Sequence, residues 1–103
     1  MNRLSKPAAE AVRILGESIR AARLRRGWSV AVLAERAGVT AQTITRIERG
    51  VPGVAIGTVF EAAHLAGVEL YGGHRDRVGL TVANELALLP QRGRARRAAD
   101  NDF

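Results

Sequence analysis

The sequence predicts a mostly α domain of four to five short helices, with a short β-strand near its C-terminal end. Three observations predict it. Apolar residues recur at spacings of three and four through residues 11–66, the period of a half-buried helix. Glycine closes each run, at Gly27, Gly38, Gly50 and Gly67, where a left-handed backbone ends a helix at little steric cost. Ser29 and Thr40 stand immediately before two of the runs, as N-cap residues do.

The elements follow in order. Residues 8–26 form the first expected helix, with Ser5 as a cap and Pro7 in the early turn. Its apolar stripe is Ala11, Leu15, Ile19 and Ala22, and Arg13, Glu17, Arg20 and Arg23 lie mostly elsewhere around it. The second helix, Val30–Ala37, buries Val30, Leu33, Ala34 and Ala37. Only Gly38 and Val39 separate it from Thr40, which opens a third helix over residues 41–49. There Ile44 and Ile47 face inward, leaving Gln42, Thr43, Thr45 and Arg46 outward. The loop Val51-Pro-Gly cannot continue a helix. A fourth helix follows at residues 58–65, with Val59, Ala62, Ala63 and Ala66 on its core side.

Beyond Gly67 the pattern changes. Val68-Glu-Leu-Tyr71 alternates apolar and polar before Gly72-Gly73, a strand pattern. A lone strand leaves its edges unpaired. Pairing Val68, Leu70 and Tyr71 with the same strand of a second copy would solve that and make a two-fold dimer. The other reading is extended chain packed on a fifth helix. That helix is expected at residues 75–89 around Val78, Val82, Leu86 and Leu89, although Gly79 and the β-branched Thr81 and Val82 oppose it. Pro90 ends it, and the residues after Gln91 have no apolar periodicity. The organisation is a flexible N-terminus (1–7), a helical unit (8–67), a dimerisation strand with a C-terminal helix (68–90) and a flexible tail (91–103).

Composition narrows the function. The 103 residues suit one domain. There is no cysteine, which removes disulfides, thiolate metal sites and a cysteine nucleophile. His64 and His74 are not at a metal-ligand spacing. No nucleophile–base pair, carboxylate pair or Gly-rich phosphate loop stands out, so no enzyme, metal or cofactor is expected. No apolar run has the roughly 20 residues that span a bilayer, and no signal peptide is read, so a cytoplasmic protein is expected. The net charge of +6 comes from 15 Arg and Lys6. It suits a polyanion, but a GC-rich genome produces the same Arg excess. The charge is uneven: residues 1–30 carry seven cations and two acids, whereas residues 51–90 carry two cations and four acids.

The informative segment is Ser29–Gly50, two short helices around a tight glycine turn, with polar, neutral-to-basic residues on the second. This is helix-turn-helix grammar. The turn sets the second helix across the first, so that one lies over phosphates while the other enters the major groove. The residues Ile19-Arg-Ala-Ala-Arg23, Gly27-Trp28-Ser29, Leu33-Ala34-Glu35, Ala37-Gly38-Val39-Thr40, Ile44-Thr-Arg-Ile-Glu-Arg-Gly50 and the helix ending at Gly67 resemble the XRE (Cro/repressor-type, lambda-repressor-like) helix-turn-helix family. The resemblance covers residues 15–67. It departs from the family at Val30, where Gln is usual and supports a phosphate contact.

The resemblance implies a bacterial, nucleoid-associated repressor, dimeric on a palindromic operator. Its third helix would contact bases through Ala41, Gln42, Thr43, Thr45 and Arg46. Ser29, Thr40, Arg49 and Arg26 would contact phosphates, and Ser29 and Thr40 cap helices in either case. Arg23 and Glu48 resemble the family's interhelical ion pair, a structural role. Trp28 reads as core packing rather than a base-stacking platform. The layout also resembles HipB-type antitoxins, which repress their own operon and bind a HipA-type Ser/Thr kinase toxin. On that reading Phe103, flanked by Asp100 and Asp102, anchors on the kinase; otherwise it is a frayed terminus. The run Arg92–Arg97 is then a DNA arm, a partner-facing patch or a solvated tail. Two further readings stand beside the antitoxin: a stand-alone regulator, and a toxin-neutralising module with weak DNA binding.

Overall fold

The structure, a computed structural model, describes residues 3–91. It divides into two compact units, one ending at Leu70 and one beginning at Tyr71. The first holds four helices: α1 (Lys6–Arg25), α2 (Val30–Ala37), α3 (Ala41–Glu48) and α4 (Ile56–Ala66). The second holds α5 (Arg75–Leu88).

Capping explains most of these boundaries. Ser5 accepts a hydrogen bond from the Ala8 N–H at 3.3 Å, so α1 starts at Lys6, two residues before the expected position, with Pro7 in its first turn. Ser29 accepts from the Val32 N–H at 3.1 Å. Gly38 and Gly67 end α2 and α4 in the left-handed conformation, with φ of 72° and 97°. Helix α4 also begins two residues early, at Ile56, because its cap position holds Ala55, which has no capping side chain to mark it.

One core joins the four helices. Ile19 of α1, Leu33 of α2 and Ile44 of α3 are completely buried, each contributing about 1.5–3 kcal/mol by leaving water. Ile47 joins them, and α4 offers only Ala62, Ala63 and Ala66 to the same cluster. Those small side chains let the backbone of α4 come close to α2. Leu15, Trp28, Val30, Ala37, Val39 and Val59 pack around the cluster, half-buried.

Helix α1 crosses the end of α3 at very short range. A Cβ on Gly16 would run into the Ile47 carbonyl oxygen and lie 3.0 Å from that of Glu48. Gly50 makes a second close approach one turn earlier on α1: with φ of 73°, its Cβ position lies 2.9 Å from Arg13 Cα. The two glycines fix how deeply α3 sits against α1.

The expected strand at Val68–Tyr71 does not form, and no strand occurs among the described residues. Leu70–Gly73 is a 3-10 turn, with Tyr71 and Gly72 left-handed at φ of 56° and 64°. Extended pairing needs the opposite sign of φ. The glycine pair makes the turn affordable, and the His74 N–H closes it on the Tyr71 carbonyl at 3.1 Å. Val68 and Leu70 pack instead on the core of their own unit. Helix α5 forms despite Gly79, and none of its residues is buried.

Gly16→Ala should destabilise the chain by about 1–3 kcal/mol through overpacking against backbone that cannot move aside. Gly57→Ala, in α4, where a Cβ meets nothing within 4 Å, should be neutral or stabilising. Urea unfolding of both variants checks the contrast.

Candidate nucleic-acid interface

Helices α2 and α3 are joined by Gly38, Val39 and Thr40. The Gly38 and Val39 N–H groups donate back to the Glu35 and Ala34 carbonyls at 3.2 and 3.0 Å, which closes the end of α2. Val39 then packs on the core and turns the chain, and Thr40 opens α3 in an extended conformation, with φ −79° and ψ 156°. The Thr43 N–H donates to Thr40 Oγ1 at 3.1 Å, and the two threonine hydroxyls share a 2.9 Å hydrogen bond.

The faces of α3 separate sharply. Ile44, Ile47 and Glu48 are buried. At about 100° per residue, Gln42, Thr45, Arg46 and Arg49 fall on the opposite side. Gln42, Arg46 and Arg49 are exposed and Thr45 is half-buried. Ala41 and Thr43 flank this face, Ala41 exposed and Thr43 half-buried. Gln42 and Arg46, four apart, stand about 6 Å from each other along the helix. No carboxylate lies on the outward face, because the helix's one acid, Glu48, points inward. The first N–H groups of α3 have no acceptor within the helix, which favours an anion there.

Residues 19–72, just over half the chain, match the family model described as Helix-turn-helix (HTH_3). The chain belongs to the helix-turn-helix family. This is a family of DNA-binding transcription regulators, not of enzymes. No curated protein and no solved structure matches the chain significantly.

In this helix-turn-helix protein one buried ion pair holds α3 at its angle. Arg23 Nε donates to Glu48 Oε2 at 2.7 Å and Nη2 to Oε1 at 2.9 Å. The third nitrogen, Nη1, donates to the Trp28 carbonyl at 2.8 Å. Arg23 is 6% exposed and Glu48 8%, so solvent screens the pair little. The hydrogen bond to Glu48 raises the Arg23 pKa; burial opposes this, and the carboxylate charge adds to it. A raised folded-state value stabilises the fold at every pH below the unfolded value. That contribution is lost only as pH rises through the folded value, in strong alkali.

The other cations named from the sequence fare differently. Arg26 lies over the Trp28 ring, 5.1 Å from its centroid, with its guanidinium against Gly67 at the end of α4. Arg26 is itself exposed, beside the half-buried Trp28, whereas Arg46 and Arg49 present their charges on the outer face of α3. Arg36 covers the Trp28 ring at 4.5 Å, a contact that no local spacing announces. Gly16 was equally silent; its only signal is an isolated glycine between Leu15 and Ile19 of the apolar stripe. Ser29 and Thr40 are exposed caps. Val30 packs on the core. Phe103 and Arg92–Arg97 lie outside the described residues.

Arg23→Ala strands the Glu48 carboxylate in the core, so it should cost about 3–5 kcal/mol. The double variant Arg23→Met/Glu48→Leu, which removes both charges, should recover most of that. Urea denaturation of the two chains compares them directly.

Proposed function

We propose that this helix-turn-helix protein is a sequence-specific transcriptional repressor that binds a palindromic operator as a homodimer in the bacterial cytoplasm. The outward face of α3 carries the reading: Gln42 and Arg46 stand one turn apart on a helix whose opposite face is locked into the core. Gln pairs with adenine N6 and N7, and Arg with guanine O6 and N7, each through two hydrogen bonds. Ala41 supplies apolar contact to a thymine methyl, and Thr43 and Thr45 lie at the edges of the contact. Ser29, Thr40 and Arg49, with the open N–H groups of α2 and α3, set the protein on the phosphates. Arg26, exposed beside Trp28, joins them.

A dimer follows from the size of the interface. One such module reads few base pairs, and useful specificity comes from two half-sites about 10 base pairs apart. The stand-alone regulator is preferred to the HipA-type kinase antitoxin, and to the neutralising module with weak DNA binding. The antitoxin reading drew on an intersubunit strand at Val68, Leu70 and Tyr71, where the structure has a turn, and on Phe103. No relative supports the kinase partnership.

The test uses a duplex selected by the full chain from a randomised library. Gln42→Ala/Arg46→Ala should weaken binding to that duplex by about 2–6 kcal/mol, the worth of two bidentate base contacts. Binding to unrelated DNA should fall much less, and the melting temperature should stay unchanged. Equal losses on both duplexes would assign the two side chains to phosphates.

A further inference from the structure

The loop between α3 and α4 is apolar where loops are ordinarily polar. Val51-Pro-Gly-Val-Ala-Ile-Gly57 has no polar side chain, yet Val51, Pro52, Ala55 and Ile56 are exposed. A run of exposed apolar residues is a fault in a soluble fold unless it has a function. The loop forms one wall of a groove of about 400 Å³, which lies wholly within the four-helix unit. Val12 and Leu15 of α1, Ile47 at the end of α3, Val54 of the loop, and Val59 and Phe60 of α4 line it.

The lining determines what the groove can hold. Twelve residues make it, and none carries a charge or a hydrogen-bonding side chain. A charged or sugar-like molecule would lose water there and find no side chain to replace it. A hydrocarbon-like molecule gains from the same desolvation. Size separates a small molecule from a protein. Standard protein–protein interfaces use about 20–30 residues a side, roughly twice what the groove offers. Small-molecule sites occupy about 300–1,000 Å³, and the groove falls in that range. Its walls are also held in advance. Gly16 sets α1 against the carbonyls of Ile47 and Glu48, and Gly50 meets Arg13, so little ordering remains for a ligand to impose. We infer that this groove binds one uncharged, hydrocarbon-like small molecule per chain. Ile47 enters it from the buried face of α3, opposite Gln42 and Arg46, so the ligand leaves the outward face of α3 free. The inference goes beyond the operator reading and does not depend on it.

Phenylnaphthylamine, an uncharged dye that fluoresces on leaving water, tests the site on the full chain. It should saturate at one molecule per chain in the micromolar range. Naphthalene should displace it, and naphthalene disulfonate, charged at both ends, should not. Ala11→Phe fills the groove from an exposed position on α1. Ile56→Asp sets a carboxylate on its wall, at a residue 70% exposed. Each should weaken the dye by about tenfold or more. Neither residue is buried, so the melting temperature without dye should match the wild type. Binding that never saturates, or that survives both substitutions, overturns the site. A chain that binds no dye leaves the groove to a protein partner and overturns the ligand. A mass by light scattering that falls on Ile56→Asp places a second copy on the loop and likewise overturns it. The Gln42→Ala/Arg46→Ala chain should bind the dye as the wild type does, so the operator reading and the groove stand or fall separately.

Discussion

The structure depends first on the buried fork between Arg23 and Glu48. Hydrophobic contact has no direction: Ile44 and Ile47 could satisfy the core with α3 rolled several degrees either way. The guanidinium–carboxylate pair has direction, because two parallel hydrogen bonds of 2.7 and 2.9 Å tolerate little rotation. The third Arg23 nitrogen extends the constraint to the Trp28 carbonyl, just before the cap of α2. One side chain of α1 thus fixes both halves of the helix-turn-helix. A rotation of α3 would swing Gln42 and Arg46 off the outward face, so the ion pair determines what that face presents. Its worth lies in register more than in net stability, since an apolar pair of the same volume could hold the helices equally well.

Gly16 and Gly50 supply the complementary constraint, on distance. The fork works only if α1 and the end of α3 nearly touch, and at Gly16 the carbonyls of Ile47 and Glu48 occupy the space a side chain would need. The cost of glycine in a helix interior is accepted there in exchange for the approach. Periodicity could not show this, because a glycine in an apolar stripe looks the same whether it faces solvent or a neighbouring backbone.

What was legible in the sequence follows the range of the interaction responsible. The positions of α2 and α3 were readable because Ser29, Gly38 and Thr40 act on their own neighbours within three or four residues. The outward face of α3 was readable for the same reason: once Ile44 and Ile47 are inside, helix geometry places Gln42 and Arg46 outside. The strand failed because Val68-Glu-Leu-Tyr71 alternates as a strand does, yet the Val68 N–H bonds the Ala63 carbonyl at 2.8 Å to close α4. Val68 and Leu70 then turn into their own core. For α5 the spacing gave the helix and its stripe correctly but could not say what covers them. The stacking of Arg26 and Arg36 on Trp28 was invisible, because residues two and eight positions from Trp28 meet its ring only through the angle of the turn between α1 and α2.

These engagements change what the net charge of +6 means. Arg23 is committed to Glu48, Arg26 and Arg36 to Trp28, and Arg13 pairs with Glu17 at 3.2 Å. Several of the cations in the first half of the chain therefore take part in contacts within the fold. Affinity for DNA falls by about 0.9 logarithmic units per tenfold rise in salt for each phosphate neutralised, so its salt dependence counts contacts made, not charges carried. Of these four arginines only Arg23 is buried; Arg13, Arg26 and Arg36 are exposed, so their charges still face solvent while their contacts help hold the helices.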